Sequence, residues 1–181
     1  MTQRFTCDFT TDHVNVWFQL LRKFCGRPKI HGVEIGCFEG RSSIWFLKNI
    51  LQHKTSRLTC IDPCFPSAFR KNLSSFRGKV HCLKQESQVA LRDPSFTFNS
   101  IHFVYIDGNH SSPNVLEDAI LAFPLLVRGG MMIFDDYRWR SRSPNKPQSM
   151  PRLAIDAFVS VFQDGLRVRH KDWQVAVERV R

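Results

Sequence analysis

Along this chain the apolar positions switch between a helical period and strand-like runs, and the switches mark its elements. Residues 12 to 25 (DHVNVWFQLLRKFC) place Val14, Trp17, Phe18, Leu21 and Phe24 on one helical stripe. Thr11 or Asp12 is its expected cap and Gly26 its stop. Pro28 ends that pattern. Residues 30 to 35 read as a first strand, and Glu34, Gly36 and Gly40 stand in the order E-x-G-x-x-x-G. Arg41, Ser42 and Ser43 then open a helix, SSIWFLKNILQH. A second strand (57 to 62), a helix (66 to 76), a short strand (79 to 83) and a short helix ending before Pro94 follow. The fourth strand is 101 to 107, its helix 113 to 127, and the fifth strand 131 to 135 after a turn at Arg128, Gly129 and Gly130. Residues 152 to 164 resume helical spacing. A closing strand pair at 166 to 170 and 173 to 180 surrounds Lys171 and Asp172.

Strand alternating with helix implies a three-layer α/β sandwich with a mostly parallel sheet. In such sheets ligands bind beyond the carboxyl ends of the strands. Two strand ends stand out there. In IHFVYIDGNHSS an apolar run stops at Asp107, and Gly108, Asn109 and His110 come at once. MMIFDDY repeats the pattern with Asp135 and Asp136. Three carboxylates gathered at two strand ends would repel one another without a cation, which argues for a metal. In the simpler alternative, Asp135 and Asp136 cap the following loop, and His110 caps the helix beginning near Ser112 or faces solvent.

The first glycine turn, between a strand and a helix start, makes a ligand cradle. Glycines let backbone approach closely, and a helix start offers free N–H donors. Asp62 ends the second strand 22 residues beyond Gly40. An acidic side chain about 20 residues past a glycine turn suits a pair of ribose hydroxyls, although Asp62 with Pro63 could merely start a turn. Glu86, Ser87 and Gln88 follow the third strand, beside the place an adenine would take.

Composition narrows the class. At 181 residues and 43% hydrophobic content the chain is read as a single domain over 1–181, with no internal repeat. No apolar run reaches membrane-spanning length, and the N-terminus lacks the order of a signal peptide, so a soluble cytoplasmic protein is expected. A net charge of +10 fits either a polyanionic or phosphorylated partner or a basic solvated surface. The six cysteines form no CxxC pair and are read as structural. Cys60 and Cys82 sit in apolar runs, and Cys60, Cys64 and His81 match no familiar zinc spacing.

Residues 30 to 180 resemble the class I S-adenosylmethionine-dependent methyltransferases. VEIGCFEGRSS is similar to the family's first motif and TCIDP to the acidic end of its second strand. FVYIDGNH and LLVRGGMMIFDDY resemble the fourth and fifth strand motifs of the metal-dependent O-methyltransferases. That group includes catechol O-methyltransferase and the enzymes that methylate sugars of macrolide and aminocoumarin antibiotics. The resemblance implies a Rossmann-like sandwich with a seven-stranded sheet and a C-terminal antiparallel strand. It implies that Gly36 and Gly40 shape the loop under the methionine part of S-adenosylmethionine. Glu34 would help hold the amino group and Ser42 or Ser43 the carboxylate. Asp62 would take the ribose, with Ser87 and Gln88 near the adenine. Asp107, Asp135 and Asp136 would bind a divalent ion, magnesium by preference, and His110 stands where the family places a general base. Cys37 and Phe38 are bulkier than the residues many relatives carry there. The segment before the first strand is short, with at most one helix, within 1–28, to cover an acceptor.

The expected activity is methyl transfer to a hydroxyl of a small acceptor. A magnesium ion takes oxygen ligands and acidifies a chelated hydroxyl, and a histidine suits proton removal near neutral pH. Residues 137–151 are expected to form a mobile basic loop over the strand ends. Arg138, Arg140, Arg142 and Lys146 could clamp an acidic or phosphorylated acceptor there, and Trp139 could stack on it; a solvated loop is the equal alternative. A nucleic-acid methyltransferase is the second reading, favoured by the charge, but no Asn/Asp-Pro-Pro-aromatic tetrapeptide is present. A cofactor-binding relative without methyl transfer is the third.

Overall fold

The computed structural model describes residues 3–140 and 147–181. Its elements in chain order are helix α1 (Val14–Leu21), strand β1 (His31–Ile35), α2 (Arg41–Asn49), β2 (Arg57–Ile61), α3 (Ser67–Asn72), β3 (Val80–Leu83), α4 (Ser87–Ala90), β4 (Ile101–Ile106), α5 (Ser112–Ala122), β5 (Leu126–Phe134), α6 (Pro151–Val161), β6 (Leu166–Lys171) and β7 (Val175–Arg179). Among the described residues the strands form one seven-stranded sheet in the order β3-β2-β1-β4-β5-β7-β6. β7 runs antiparallel between β5 and β6, and the remaining pairings are parallel. This is the Rossmann-like sandwich expected from the alternation.

The period of two in the strands explains the layers. Val104, Ile106, Met132 and Phe134 face one side and pack with Ala119 of α5 and Phe158 of α6. Phe103, Tyr105, Met131 and Ile133 face the other and pack with Trp17 of α1 and Phe46 and Leu47 of α2. Central parallel strands covered on both faces must be apolar throughout, and all five residues of β1 are buried. Gly32 is paired with Phe103 across β1 and β4, and a β-carbon there would lie 2.3 Å from the Phe103 ring. The absence of a side chain at Gly32 is what lets that ring lie over the sheet.

The structure departs from the sequence expectations at element ends. The first helix is capped by neither Thr11 nor Asp12. Asp8 accepts from the Thr10 and Thr11 amides at 3.1 and 3.0 Å, and its stripe is split into α1 and two flanking 3-10 turns. The helix expected through residue 127 stops at Ala122, and Pro124 lies in a 3-10 turn. The turn expected at Arg128–Gly130 lies inside β5 as a bulge. There Ile101 pairs with Leu126 and Phe103 with Met131, and Gly129 takes φ 79°. Cys82, read as a small hydrophobe, is exposed because β3 is the edge strand. Among the described residues no helix is long and apolar enough to cross a membrane.

Candidate active site

A cavity of about 620 Å³ opens beyond the carboxyl ends of β1, β2 and β4. Its floor is the turn between β1 and α2. Gly36 takes φ 82° and Gly40 φ 78°, conformations that favour residues without a side chain. Gly36 is also confined by its neighbour strand, since a β-carbon would lie 2.0 Å from the Asp107 carbonyl oxygen. A β-carbon on Gly40 would lie 2.2 Å from Leu73 Cδ1, so this glycine lets α3 close on the turn. The bulky pair between them differs in exposure, although both residues line the cavity. Cys37 is buried beneath the loop, while Phe38, at φ 44°, is 54% exposed and lines the cavity.

Asp62 lines the same cavity, and backbone amides fix its carboxylate. Oδ2 accepts from Cys37 N at 2.8 Å and Phe38 N at 3.4 Å, and Oδ1 from Cys64 N at 2.8 Å. Each oxygen keeps lone-pair capacity on the cavity side. Ser42, Ser87 and Asp107 also line it, whereas Ser43 and Gln88 do not. Glu34 has no exposed surface and receives hydrogen bonds from both Ser42 Oγ and Ser43 Oγ. Burial pushes its carboxyl up to about 7. Glu34 thus braces Ser42 and Ser43 from below.

At the other strand ends, Asp107, His110 and Asp136 converge. One ligand atom from each lies within 4.8 Å of the others. His110 Nε2 stands 2.5 Å from Asp136 Oδ2, and that hydrogen bond raises the imidazole pKa. Burial, and then the carboxylates of Asp135 and Asp136, push Asp107 well above the usual carboxylate range. That is the signature of an acidic cluster short of positive charge. Asp136 adopts φ 57°, an uncommon conformation outside glycine that turns its side chain back toward His110. Asp135 stands apart from the other three. It is buried, accepts from Tyr105 Oη, and its Oδ1 accepts from the Asp136 amide at 2.7 Å. The donor set fits a hard divalent ion, because carboxylate oxygens dominate it.

Two features of the site escape sequence reasoning. Tyr105 is hidden in an apolar run, yet it stands two residues before Asp107 and so shares its face of β4. Its hydroxyl reaches Asp135 and lies 3.4 Å from Asp107 Oδ2, and burial between those carboxylates drives its pKa well up. The segment before α1 is the other. Phe5, Cys7, Phe9 and Thr10 wall the cavity. Thr6 N and Oγ1 donate to Glu39 at 2.7 and 3.1 Å, the Asn72 side-chain amide accepts from Arg4 N and donates to Arg4 O, and Arg41 pairs with Asp8 at 2.5 Å. The N-terminal cover is therefore more than one helix. Of the basic loop, Arg138, Trp139 and Arg140 are described, and Trp139 packs on His110 with ring centroids 4.9 Å apart. Arg142 and Lys146 lie outside the described residues.

A family described as a methyltransferase domain matches residues 33–137, from the glycine turn to the end of the Asp135–Asp136 motif. The chain belongs to that methyltransferase family, and its fold is that of the class I S-adenosylmethionine-dependent enzymes. An uncharacterized protein of Acanthamoeba polyphaga mimivirus is 32% identical over 145 residues, which cover 74% of this chain and 61% of that protein. Two solved structures share the fold with a TM-score of 0.73 and 14% identity. MycE methyltransferase of the mycinamycin biosynthetic pathway, in complex with Mg, S-adenosylhomocysteine and mycinamycin VI, is matched over 97% of this chain and 51% of its own. A candidate rRNA methylase from Clostridium thermocellum is matched over 98% and 99%.

Proposed function

We propose that this domain transfers the methyl group of S-adenosylmethionine to a hydroxyl oxygen of a small acceptor, and that it does so with a divalent ion, magnesium by preference. The convergence of Asp107, His110 and Asp136 beside the cavity carries this reading. The MycE complex, which contains Mg and S-adenosylhomocysteine on the same fold, supports it.

Methyl transfer from a sulfonium is an in-line displacement, so the chain's main task is alignment. Asp62 holds the ribose hydroxyls from amide-fixed oxygens. Ser42 Oγ, whose proton goes to Glu34, offers its lone pairs to the methionine amino group, and Ser87 lies beside the adenine. Gly36 keeps the turn low enough for the methionine portion to approach Asp107. Asp107 and Asp136 would hold the ion, with Asp135 and Tyr105 as their support. A bound magnesium ion would lower the pKa of a chelated acceptor hydroxyl and orient it. His110 would take the acceptor's proton at Nε2 once Asp136, which now accepts a hydrogen bond from that nitrogen, turns to the ion. Phe5, Phe9 and Phe38 exclude water from the cavity mouth.

The test is methyl transfer to a panel of vicinal diols and catechols, with EDTA and with magnesium restored. Loss and recovery of turnover support the reading, and turnover insensitive to EDTA overturns the metal part. A nucleic-acid acceptor is the second reading, motivated by the net charge of +10 and by the fold shared with the candidate rRNA methylase. Transfer to RNA, with binding that weakens steeply in salt, would favour it.

A further inference from the structure

A second pocket, of about 590 Å³, lies beyond Trp139. Tyr137, Arg138, Trp139, Arg140, Arg152 and Asp156 form its polar and aromatic walls. Trp139 connects it to the reaction centre, because the same indole that lines this pocket packs on His110 with ring centroids 4.9 Å apart. Arg152 comes from the first turn of α6, outside the basic loop, so two separate elements supply guanidinium groups to one space.

Charge decides what this space would hold. Arg152 and Lys171 lie over the Tyr137 ring, at 5.2 and 4.9 Å from its centroid. The Tyr137 hydroxyl donates to Asp156 at 2.9 Å, and Lys171 donates to the same oxygen at 3.1 Å. Arg152 Nε is 3.5 Å from the other oxygen of Asp156. Asp156 is thus already satisfied and adds little repulsion toward an incoming anion. Arg138 pairs with Asp172, but both side chains are more than half exposed, and such pairs are weak and exchange readily. Among the lining residues Arg138, Arg140 and Arg152 stand against Asp156, which leaves two positive charges in excess. A carboxylate would neutralise one of them. A phosphate monoester carries about −1.5 to −2 at neutral pH and offers three acceptor oxygens to fork-shaped donors.

We propose that this pocket receives a phosphate monoester carried by the acceptor, so that the substrate class is a phosphorylated, hydroxylated small molecule with its hydroxyl at His110 and its phosphate among Arg138, Arg140 and Arg152. This rests on the reading of His110 and the Asp107–Asp136 pair as the reaction centre. Trp139 is the divider: it keeps the arginines on the phosphate side and leaves the metal site to the hydroxyl.

Binding measured by calorimetry tests the pocket apart from the chemistry. Protein in EDTA, saturated with S-adenosylhomocysteine, is titrated with ribose 5-phosphate, ribose and inorganic phosphate. Ribose 5-phosphate is expected to bind at least 10-fold more tightly than ribose, with inorganic phosphate competing. Arg152→Gln should weaken it at least 10-fold. Arg140→Gln, which leaves the Tyr137 contacts intact, should do the same if Arg152→Gln disturbs the fold. Equal binding of ribose and ribose 5-phosphate, or unchanged affinity in well-folded Arg140→Gln and Arg152→Gln, overturns the proposal. An RNA oligomer that displaces ribose 5-phosphate at a far lower concentration assigns the pocket to a phosphodiester chain and also overturns it. None of these outcomes depends on methyl transfer, so an inactive panel leaves the pocket test standing.

Discussion

Gly36 at the end of β1 lies directly against the carbonyl of Asp107 at the end of β4. A β-carbon on Gly36 would come within 2.0 Å of that oxygen. The glycine turn and the backbone that carries the first carboxylate of the proposed metal site are therefore in direct contact. Gly36→Ala meets both this clash and a φ of 82°, which alone costs about 1–2 kcal/mol for a residue with a side chain. The variant is expected to melt earlier and to lose at least about 10-fold in S-adenosylhomocysteine affinity by calorimetry, about 1.4 kcal/mol. Wild-type affinity would show that the turn does not touch the cofactor.

Asp62 fixes the glycine turn and is proposed to hold the ribose. Asp62→Ala removes the proposed ribose acceptor and also orphans the Cys37 and Cys64 amides it now receives at 2.8 Å. Hydrogen bonds to a charged group contribute about 1.5–3 kcal/mol each. We expect S-adenosylhomocysteine binding about 10–100-fold weaker, with Asp62→Asn intermediate. Unchanged affinity in Asp62→Ala would remove the cofactor placement.

Tyr105 braces the carboxylate cluster from the apolar side of the sheet. Tyr105→Phe keeps the ring packed against Trp17 and Phe46 and deletes only the hydroxyl that bonds Asp135. Losing such an outer partner typically weakens metal binding about 10–100-fold. Manganese affinity followed by electron paramagnetic resonance should fall by that order while the melting temperature holds. Wild-type manganese affinity would make Tyr105 a packing residue only.

The amino ends of the central strands carry an acid-sensitive pair. His31 Nε2 lies 2.9 Å from Thr59 Oγ1, and His102 Nδ1 accepts the His31 amide at 3.1 Å. Burial, then the Arg57 guanidinium, pulls the His31 pKa down to about 3, and burial lowers that of His102. An unfolded histidine titrates near 6.5, so the unfolded chain binds more protons below that pH. The stability held by neutral His31 is complete above about pH 6.5 and is lost as pH falls from there toward 3. Melting temperature should decline over that window, and less steeply in His31→Gln, which retains an amide for Thr59. An equally steep decline in the variant would locate the acid response elsewhere.

The parts of this architecture that depend on local patterning were readable in the chain. A buried strand that stops abruptly at an acidic residue marks β2, β4 and β5, and it put Asp62, Asp107 and Asp136 at the correct edge of the sheet. What depends on distant partners was not readable. The segment from Arg4 to Asp8 has no periodicity and is held by Asn72, Glu39 and Arg41, which are far away in sequence. The start of β5 was missed because an apolar Leu-Leu-Val run fits a helix end as well as a strand. The hydrogen bonds that Ser42 and Ser43 make to Glu34 were not readable either, because a motif position says nothing about which side chains close over it.

The proposed mechanism depends most on a divalent ion held by Asp107 and Asp136, next to the bound cofactor and within reach of His110. Manganese and S-adenosylhomocysteine can be introduced into crystals together and the metal located by its anomalous scattering. The account predicts one strong peak within coordination distance of the Asp107 and Asp136 carboxylates, with Asp62 on the ribose of the same molecule. A cofactor bound in the cavity with no peak at those carboxylates, under saturating manganese, would contradict it.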